Sequence, residues 1–202
     1  MENIFSLIIF CFVTSFSPGP NNIMLMTSGV NYGVYRSVPH FLGVAIGFPL
    51  MIIAIGLGLG QVFRKYPDIY LLIKMFGILY LLFLSWKIAF ASMPETGKNL
   101  NNPLTFFQAT LFQWVNPKAW VIAIGAIATF TTSTNIQTQV LLIAIGYFMV
   151  GGLSVFAWLF LGAALKSAFR NKKRLKMFNF TMAALLVLSI VPMVLVEIGS
   201  VI

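Results

Sequence analysis

The chain has 202 residues, of which 59% are apolar and only 8% are charged, and its mean hydropathy is +0.95. Soluble domains usually carry about 25% charged residues, so this composition excludes a water-soluble fold. The high apolar content also excludes a disordered chain. What remains is an all-α membrane protein. Because a spanning helix needs roughly 20 apolar residues, about six spans with short loops fill a single transmembrane domain over residues 1–202.

The chain contains one cysteine, Cys11, and one histidine, His40. A lone cysteine excludes an internal disulfide and a thiolate metal site. A lone histidine excludes the usual zinc sites and a haem held by two histidines. We therefore expect neither a metal nor a cofactor. We attribute the net charge of +9 to membrane topology and contact with anionic lipid rather than to nucleic acid.

Six apolar stretches follow one another along the chain, and each is predicted to be a spanning helix. They cover approximately residues 3–27, 38–62, 68–91, 104–130, 139–165 and 177–196. The first stretch has no basic segment ahead of it and no small-residue cleavage site after it. We therefore expect a retained span rather than a removable signal peptide.

Basic residues are concentrated in the loops predicted after spans one, three and five. These residues are Arg36, Lys98, Lys166, Arg170, Lys172, Lys173, Arg174 and Lys176, whereas the loops after spans two and four hold Arg64 and Lys65. The positive-inside rule places the more basic side in the cytoplasm, so both termini are predicted to face outward. We interpret the basic loop 166–176 as a topology anchor on anionic lipid, with a regulatory or partner-binding role as the alternative.

A polar linker over residues 92–103 divides the chain into halves of about 1–98 and 99–202, with three spans each. Because three is odd, the second half must enter the membrane in the opposite orientation, which predicts two inverted three-helix repeats. Span one is interrupted at Pro18-Gly19-Pro20 and span four at Asn116-Pro117. Paired interruptions of this kind indicate the substrate site of a transporter, although a proline can also produce a simple kink.

The two interruptions supply the candidate substrate-binding residues. These are Pro18, Gly19, Pro20, Asn21, Asn22, Asn116, Pro117 and Lys118. Proline lacks an N–H and disrupts the preceding turn, so carbonyls near residues 14–16 should lose their partners and face protein or a water-filled cavity. We expect a substrate carboxylate at the half-helix N-termini and Lys118. The substrate ammonium is expected at the freed carbonyls and the side-chain oxygen of Asn116.

Lys118, Lys74 and His40 are the candidates for proton coupling or gating, since relays inside membranes use ionisable side chains. Lys74 can also extend its ammonium to the membrane interface, and we interpret His40 first as an interfacial polar residue. A carrier without a proton relay is the fourth alternative. All four acids, Glu2, Asp68, Glu95 and Glu197, lie at span ends or in loops. A basic amino acid would therefore lack a counter-charge.

Three segments resemble signature regions of the LysE/RhtB amino-acid exporters. They are residues 17–22 (SPGPNN), 73–81 (IKMFGILYL) continuing to Trp86-Lys87, and 112–118 (FQWVNPK). The resemblance extends over nearly the whole chain and is strongest to exporters of cysteine and O-acetylserine. It implies a bacterial cytoplasmic-membrane carrier that exports amino acids or close derivatives in exchange for protons. Together with the positions of the four acids, this predicts small zwitterionic substrates of the cysteine, O-acetylserine and homoserine/threonine class.

Three other classes of function are weighed against this one. An ion channel is compatible with broken helices and short loops. A structural membrane subunit is the interpretation of the composition that claims least about function. A membrane enzyme is disfavoured because His40 has no acidic residue near it in the sequence. The sequence leaves open whether copies of the chain form a homo-oligomer.

Overall fold

The computed structural model describes residues 4–59, 65–91, 102–132, 134–169, 171–189 and 191, where every regular element is a helix. The α-helices are α1 (Ile4–Phe16), α2 (Pro20–Tyr32), α3 (Val34–Ala54), α4 (Pro67–Ala89), α5 (Phe106–Val115), α6 (Pro117–Phe130), α7 (Ile136–Gly146), α8 (Gly152–Leu165) and α9 (Lys172–Leu188). A π-helical turn, Ile55–Leu59, extends α3, and a second, Tyr147–Gly151, joins α7 to α8. A short 3₁₀ turn, Lys166–Phe169, follows α8.

Three of the described helices are long and apolar enough to cross a membrane: Val34–Leu59, Leu71–Ala89 and Ile136–Phe169. The bent pair α1 and α2, with 56° between its halves, makes a fourth if it is counted as one span. Helix α6 is apolar but shorter. The all-helical fold is therefore confirmed for the described residues, while the six-span inverted repeat stays a prediction.

Several sequence predictions concern residues outside the described ranges. These are Glu2, Arg64, Glu95, Lys98, Arg170 and Glu197, together with most of the polar linker, both termini and the end of span six. For Lys74 the description covers its place in α4 but not its side chain.

The loop predicted between spans one and two, over residues 28–37, is wrong. Helix α2 continues to Tyr32 and α3 begins at Val34, so Gly33 alone separates them. Gly33 has φ 82°, a backbone conformation that glycine adopts without steric penalty. The tight turn places the beginning of α3 directly against α2.

The ends of α2, α4 and α8 lie on the same side of the bundle. Arg36 donates a 2.9 Å hydrogen bond to Oδ1 of Asn102, and Asn179 donates one of 2.9 Å to the carbonyl of Ala91. The ammonium of Lys166 lies beside Gly33. These contacts bring together the segments that follow predicted spans one, three and five.

Helices α2 and α8 approach each other backbone to backbone. A Cβ added to Gly29 would overlap the carbonyl of Leu159, and one added to Gly162 would overlap the carbonyl of Met26. Small residues permit such close helix packing in membranes, where lipid offers no hydrophobic driving force for association. This contact fixes α2 in the interior, with its N-terminus at the first interruption.

Candidate substrate site

The break between α1 and α2 lies inside the bundle and is held by side-chain hydrogen bonds. It arises because Pro18 and Pro20 carry no N–H, so carbonyls of the preceding turn lose helical donors. Side chains replace these donors. Ser17 Oγ donates to the Thr14 carbonyl at 2.9 Å, and Ser154 Oγ donates to the Ser15 carbonyl at 2.9 Å. Asn22 Nδ2 donates to the carbonyls of Ser15 at 2.8 Å and Ser17 at 3.0 Å. The side chain of Asn22 therefore stabilises the break by bonding two of its carbonyls.

The second break meets the first through Lys118. Helix α5 ends at Val115, and Oδ1 of Asn116 caps α6 by accepting from the Lys118 backbone N–H at 3.1 Å. The Lys118 ammonium donates to the carbonyl of Ser17 at 2.5 Å, to its hydroxyl at 2.8 Å and to the carbonyl of Pro18 at 3.2 Å. The two interruptions, about a hundred residues apart in sequence, therefore lie one side chain apart in space.

These bonds show which carbonyls of the first break already have donors. A substrate ammonium was expected at freed carbonyls near residues 14–16, whereas the carbonyls that accept from Lys118 are those of Ser17 and Pro18. The carbonyls of Thr14 and Ser15 accept from neighbouring side chains. The physical reason is that lysine cannot be buried at low energy without acceptors, and the break provides the nearest ones.

The N-termini of α2 and α6 differ in how they are capped. Asn116 caps α6 with its own side chain, whereas Gly19, the residue before α2, has no side chain with which to cap that helix. A Cβ built on Gly19 would lie 3.0 Å from Nζ of Lys118, so the absence of a side chain at Gly19 also leaves room for the Lys118 ammonium. The positive end of the α2 dipole and the Lys118 ammonium are thus adjacent.

A cavity with an empty volume of about 500 Å³, counting its mouth, lies at these breaks. Its polar wall includes Thr14, Ser15, Asn21, Asn22, Asn116 and Lys118, and its apolar wall includes Val44, Phe48, Ile122 and Val155. Of the predicted site residues, Gly19 also lines it, while Pro18, Pro20 and Pro117 shape the breaks without lining the cavity. Few polar groups among apolar ones are typical of small-molecule sites.

Gln113 belongs to the site although sequence reasoning did not single it out. It is fully buried, and its side chain exchanges two hydrogen bonds with Asn21, at 2.8 Å and 3.3 Å, while donating to the Ala109 carbonyl at 2.8 Å. The available signal was an uncharged polar residue one turn before Asn116, in an apolar span. Its contact orients Asn21 at the wall of the cavity.

Tyr147 was also missed. It is 1% exposed, lines the cavity and belongs to the π-helical turn between α7 and α8. Its hydroxyl lies 2.9 Å from Oγ1 of Thr14, and Thr14 donates to the Phe10 carbonyl at 2.6 Å. Because Thr14 has one proton to give, Tyr147 donates to Thr14 and keeps lone pairs on its own oxygen. π-helical turns often occur at functional positions.

Of the other two candidates for coupling, His40 does not line this cavity. His40 is 1% exposed, so its side chain is enclosed by the protein. Helix α3 begins at Val34, which places His40 in the second turn, where Ser28 Oγ of α2 lies 3.0 Å from its Nδ1. Lys74 lies on α4, which contributes no residue to the cavity wall within the described part of the chain.

The Asn21–Gln113 pair gives a prediction about stability. We expect Gln113→Leu to lower the free energy of unfolding by about 1–3 kcal/mol, because it leaves the half-buried amide of Asn21 without its partner. The double variant with Asn21→Leu should recover part of that loss, with a coupling energy of about 0.5–3 kcal/mol. Thermal unfolding of the purified variants measures this; strictly additive losses would contradict a paired contact.

Comparison with known proteins gives one family. The LysE type translocator model matches residues 12–195. The chain is 28% identical over 180 residues to the cysteine/O-acetylserine efflux protein of Escherichia coli O157:H7, covering 87% of this chain and 89% of that protein. It is 28% identical over 187 residues to the protein of that name from Klebsiella pneumoniae subsp. pneumoniae, covering 90% and 92%. No solved structure matches the chain.

Proposed function

This chain belongs to the LysE type translocator family, and from that premise we propose that it exports small zwitterionic amino acids or derivatives across the bacterial cytoplasmic membrane. It is a transporter rather than an enzyme. Its relatives are named for efflux of cysteine and O-acetylserine, which supports these as first candidates, with homoserine and threonine next. The observation that carries the proposal is the Lys118 ammonium beside the uncapped start of α2 at a cavity between the helices.

In this proposal the substrate carboxylate lies between the first turn of α2 and Lys118. The helix end offers backbone N–H groups and the positive end of its dipole, and Lys118 offers a full charge. Hydrogen bonds to charged groups contribute about 1.5–3 kcal/mol each, more than neutral ones. Lys118 would exchange part of its contact with Ser17 for the carboxylate when substrate enters.

The substrate ammonium needs hydrogen-bond acceptors in the wall of the cavity. Asn116 and Tyr147 both line it, and the Oδ1 of Asn116 and the hydroxyl oxygen of Tyr147 each retain a lone pair after an internal hydrogen bond. We assign the ammonium to these two oxygens. The apolar wall formed by Val44, Phe48 and Val155 then faces the substrate side chain.

The charges at the cavity predict its selectivity. Lys118 lines the wall, and no acidic side chain does so within the described residues. A second positive charge on lysine or arginine would meet Lys118 without a counter-ion, and desolvating an unpaired charge is costly. We therefore expect neutral amino acids to be transported at least about tenfold faster than lysine, a difference of about 1.4 kcal/mol.

Uptake into inside-out membrane vesicles tests the proposal. We would supply cysteine, O-acetylserine, homoserine, threonine, leucine and lysine separately, with and without a pH gradient, and use vesicles lacking the protein as the control. The expected result is saturable uptake of the small polar amino acids that a pH gradient stimulates. Ionic conductance without saturation would indicate a channel, and absence of transport for all six would favour a structural subunit.

Two finer parts of the architecture belong to the same proposal. We propose six spans in two inverted repeats, with both termini outward and the ends of α2, α4 and α8 in the cytoplasm. The shared location of these ends and the basic residues of Lys166–Phe169 and α9 support this orientation. A reporter fused after residue 202 that is active only outside the cytoplasm tests the orientation of the C-terminus.

A further inference from the structure

A second cavity lies between α2, α3, α4 and residues 102–104, and it also measures about 500 Å³ when the space at its mouth is counted. We propose that this cavity is a second amino-acid-binding position, which a substrate occupies before it reaches the cavity at Lys118. The inference rests on the proposed function, because it takes the ligand to be the transported amino acid.

Four polar side chains of this cavity are buried. Thr27, Ser28 and Asn31 on α2 and His40 on α3 line it, and each is at most 6% exposed. The opposite wall is apolar and includes Met24, Leu84 and Leu104. A membrane bundle has no need for such a concentration of polar groups unless they hold helices together or meet a polar ligand.

Most of these groups have partners within the protein. Thr27 donates to the Ile23 carbonyl at 2.7 Å, and Asn31 donates to the Thr27 carbonyl at 2.9 Å. The Asn31 amide also pairs with that of Asn179 on α9 at 3.0 Å and 3.3 Å. These contacts are explained as links between helices and would not by themselves indicate a ligand.

His40 is the exception. Its Nδ1 shares a hydrogen bond with Ser28 Oγ at 3.0 Å, but its Nε2 is buried and has no hydrogen-bond partner among the described residues. A buried polar atom without a partner costs about 1–3 kcal/mol. If His40 served only to link α2 and α3, Nδ1 would suffice, and an apolar group in place of Nε2 would be more stable. Because His40 lines the cavity, we assign Nε2 as the hydrogen-bond partner of a polar atom of the ligand.

The position of the cavity fits a substrate in transit. Helix α2 lines both cavities, the first at Asn21 and Asn22 and the second at Thr27 and Ser28. Six residues of α-helix span about 9 Å, which is a short step for an amino acid. Asn102 lines the second cavity and contacts Arg36, so this cavity lies toward the end of the bundle that we place in the cytoplasm.

The ligand class follows from the lining groups. Lys87 is a lining residue and offers a cation for a carboxylate, while Ser28 and His40 offer hydrogen-bonding groups. No acidic side chain lines this cavity within the described residues. A zwitterionic or anionic small molecule therefore fits, and a basic amino acid does not, which is the same selectivity proposed for the first cavity.

Binding stoichiometry of radiolabelled O-acetyl-L-serine to the purified full-length protein tests the inference. We expect two equivalents for the wild type and one each for Lys118→Ala and His40→Asn, with Kd of the lost equivalent raised at least about tenfold, or 1.4 kcal/mol. One equivalent in the wild type, removed by Lys118→Ala and unaffected at His40, would overturn the second position and leave the proposed function standing.

Two substitutions of His40 separate ligand binding from helix linkage. Asparagine places its amide near Nδ1 and keeps the Ser28 contact, whereas glutamine places its amide near Nε2 and gives up that contact. If Nε2 meets the ligand, His40→Gln retains the second equivalent and His40→Asn loses it. The opposite order, with His40→Asn binding like the wild type, would show that His40 only links helices and would overturn the inference.

Discussion

Replacing Lys118 with alanine should reduce the export rate at least about tenfold in vesicles that contain normal amounts of the protein. The substitution removes the charged donor that we assign to the substrate carboxylate, and one such hydrogen bond contributes about 1.5–3 kcal/mol. A loss of 1.4 kcal/mol is already a tenfold change in affinity. The initial rate of O-acetylserine uptake, normalised to protein content, measures the effect.

The control for this prediction is another lysine. Lys173→Ala removes an exposed lysine of α9 and should leave the rate within about twofold. Because Lys118 also joins the two breaks, the thermal midpoint of both variants is measured alongside transport. Unchanged export by a normally inserted Lys118→Ala protein would remove Lys118 from the substrate site.

Gly162→Leu should prevent assembly of the bundle. A side chain at this position has to occupy the space of the Met26 carbonyl on α2, and a backbone atom cannot move aside as a flexible side chain can. Overpacking in a well-packed core costs about 1–3 kcal/mol, and we expect a destabilisation of at least about 3 kcal/mol here. Gel filtration in detergent and thermal unfolding should show aggregated or early-melting protein.

Gly125→Leu is the matched control for Gly162→Leu. Gly125 lies in α6, and a Cβ at that position has no neighbouring heavy atom within 4 Å. The same side chain is therefore expected to change the unfolding midpoint little. Equal stability of the two leucine variants would mean that α2 and α8 do not pack through these glycines.

The interruptions were predictable because their cause is local. Pro18, Pro20 and Pro117 each remove a backbone donor from an apolar stretch, and this loss follows from the residue type alone. The inward orientation of the Lys118 side chain was predictable for a related reason, since a lysine within an apolar span has to find acceptors inside the bundle. Which acceptors it finds, at Ser17 and Pro18, depends on how two distant segments pack.

Long-range pairs and the turn at residue 33 lay beyond sequence reasoning. The Asn21–Gln113 and Thr14–Tyr147 contacts join residues 92 and 133 positions apart, and no local pattern specifies such partners. The polar residues of α2 after Thr27 predicted a loop because their partners on α3 and α9 were unknown. In a sequence, polar residues that form buried contacts between helices cannot be distinguished from polar residues of an exposed loop.

Protection of a cavity residue by substrate tests the central claim most directly. In a Cys11→Ala background, Ile122→Cys places the single thiol at the cavity wall, and Thr134→Cys places it at an exposed control position. We expect O-acetyl-L-serine at about ten times its Kd to slow methanethiosulfonate labelling of Ile122→Cys roughly tenfold, following the factor 1 + [L]/Kd, without affecting Thr134→Cys. Equal labelling rates of Ile122→Cys with and without a transported substrate would contradict binding between the two breaks.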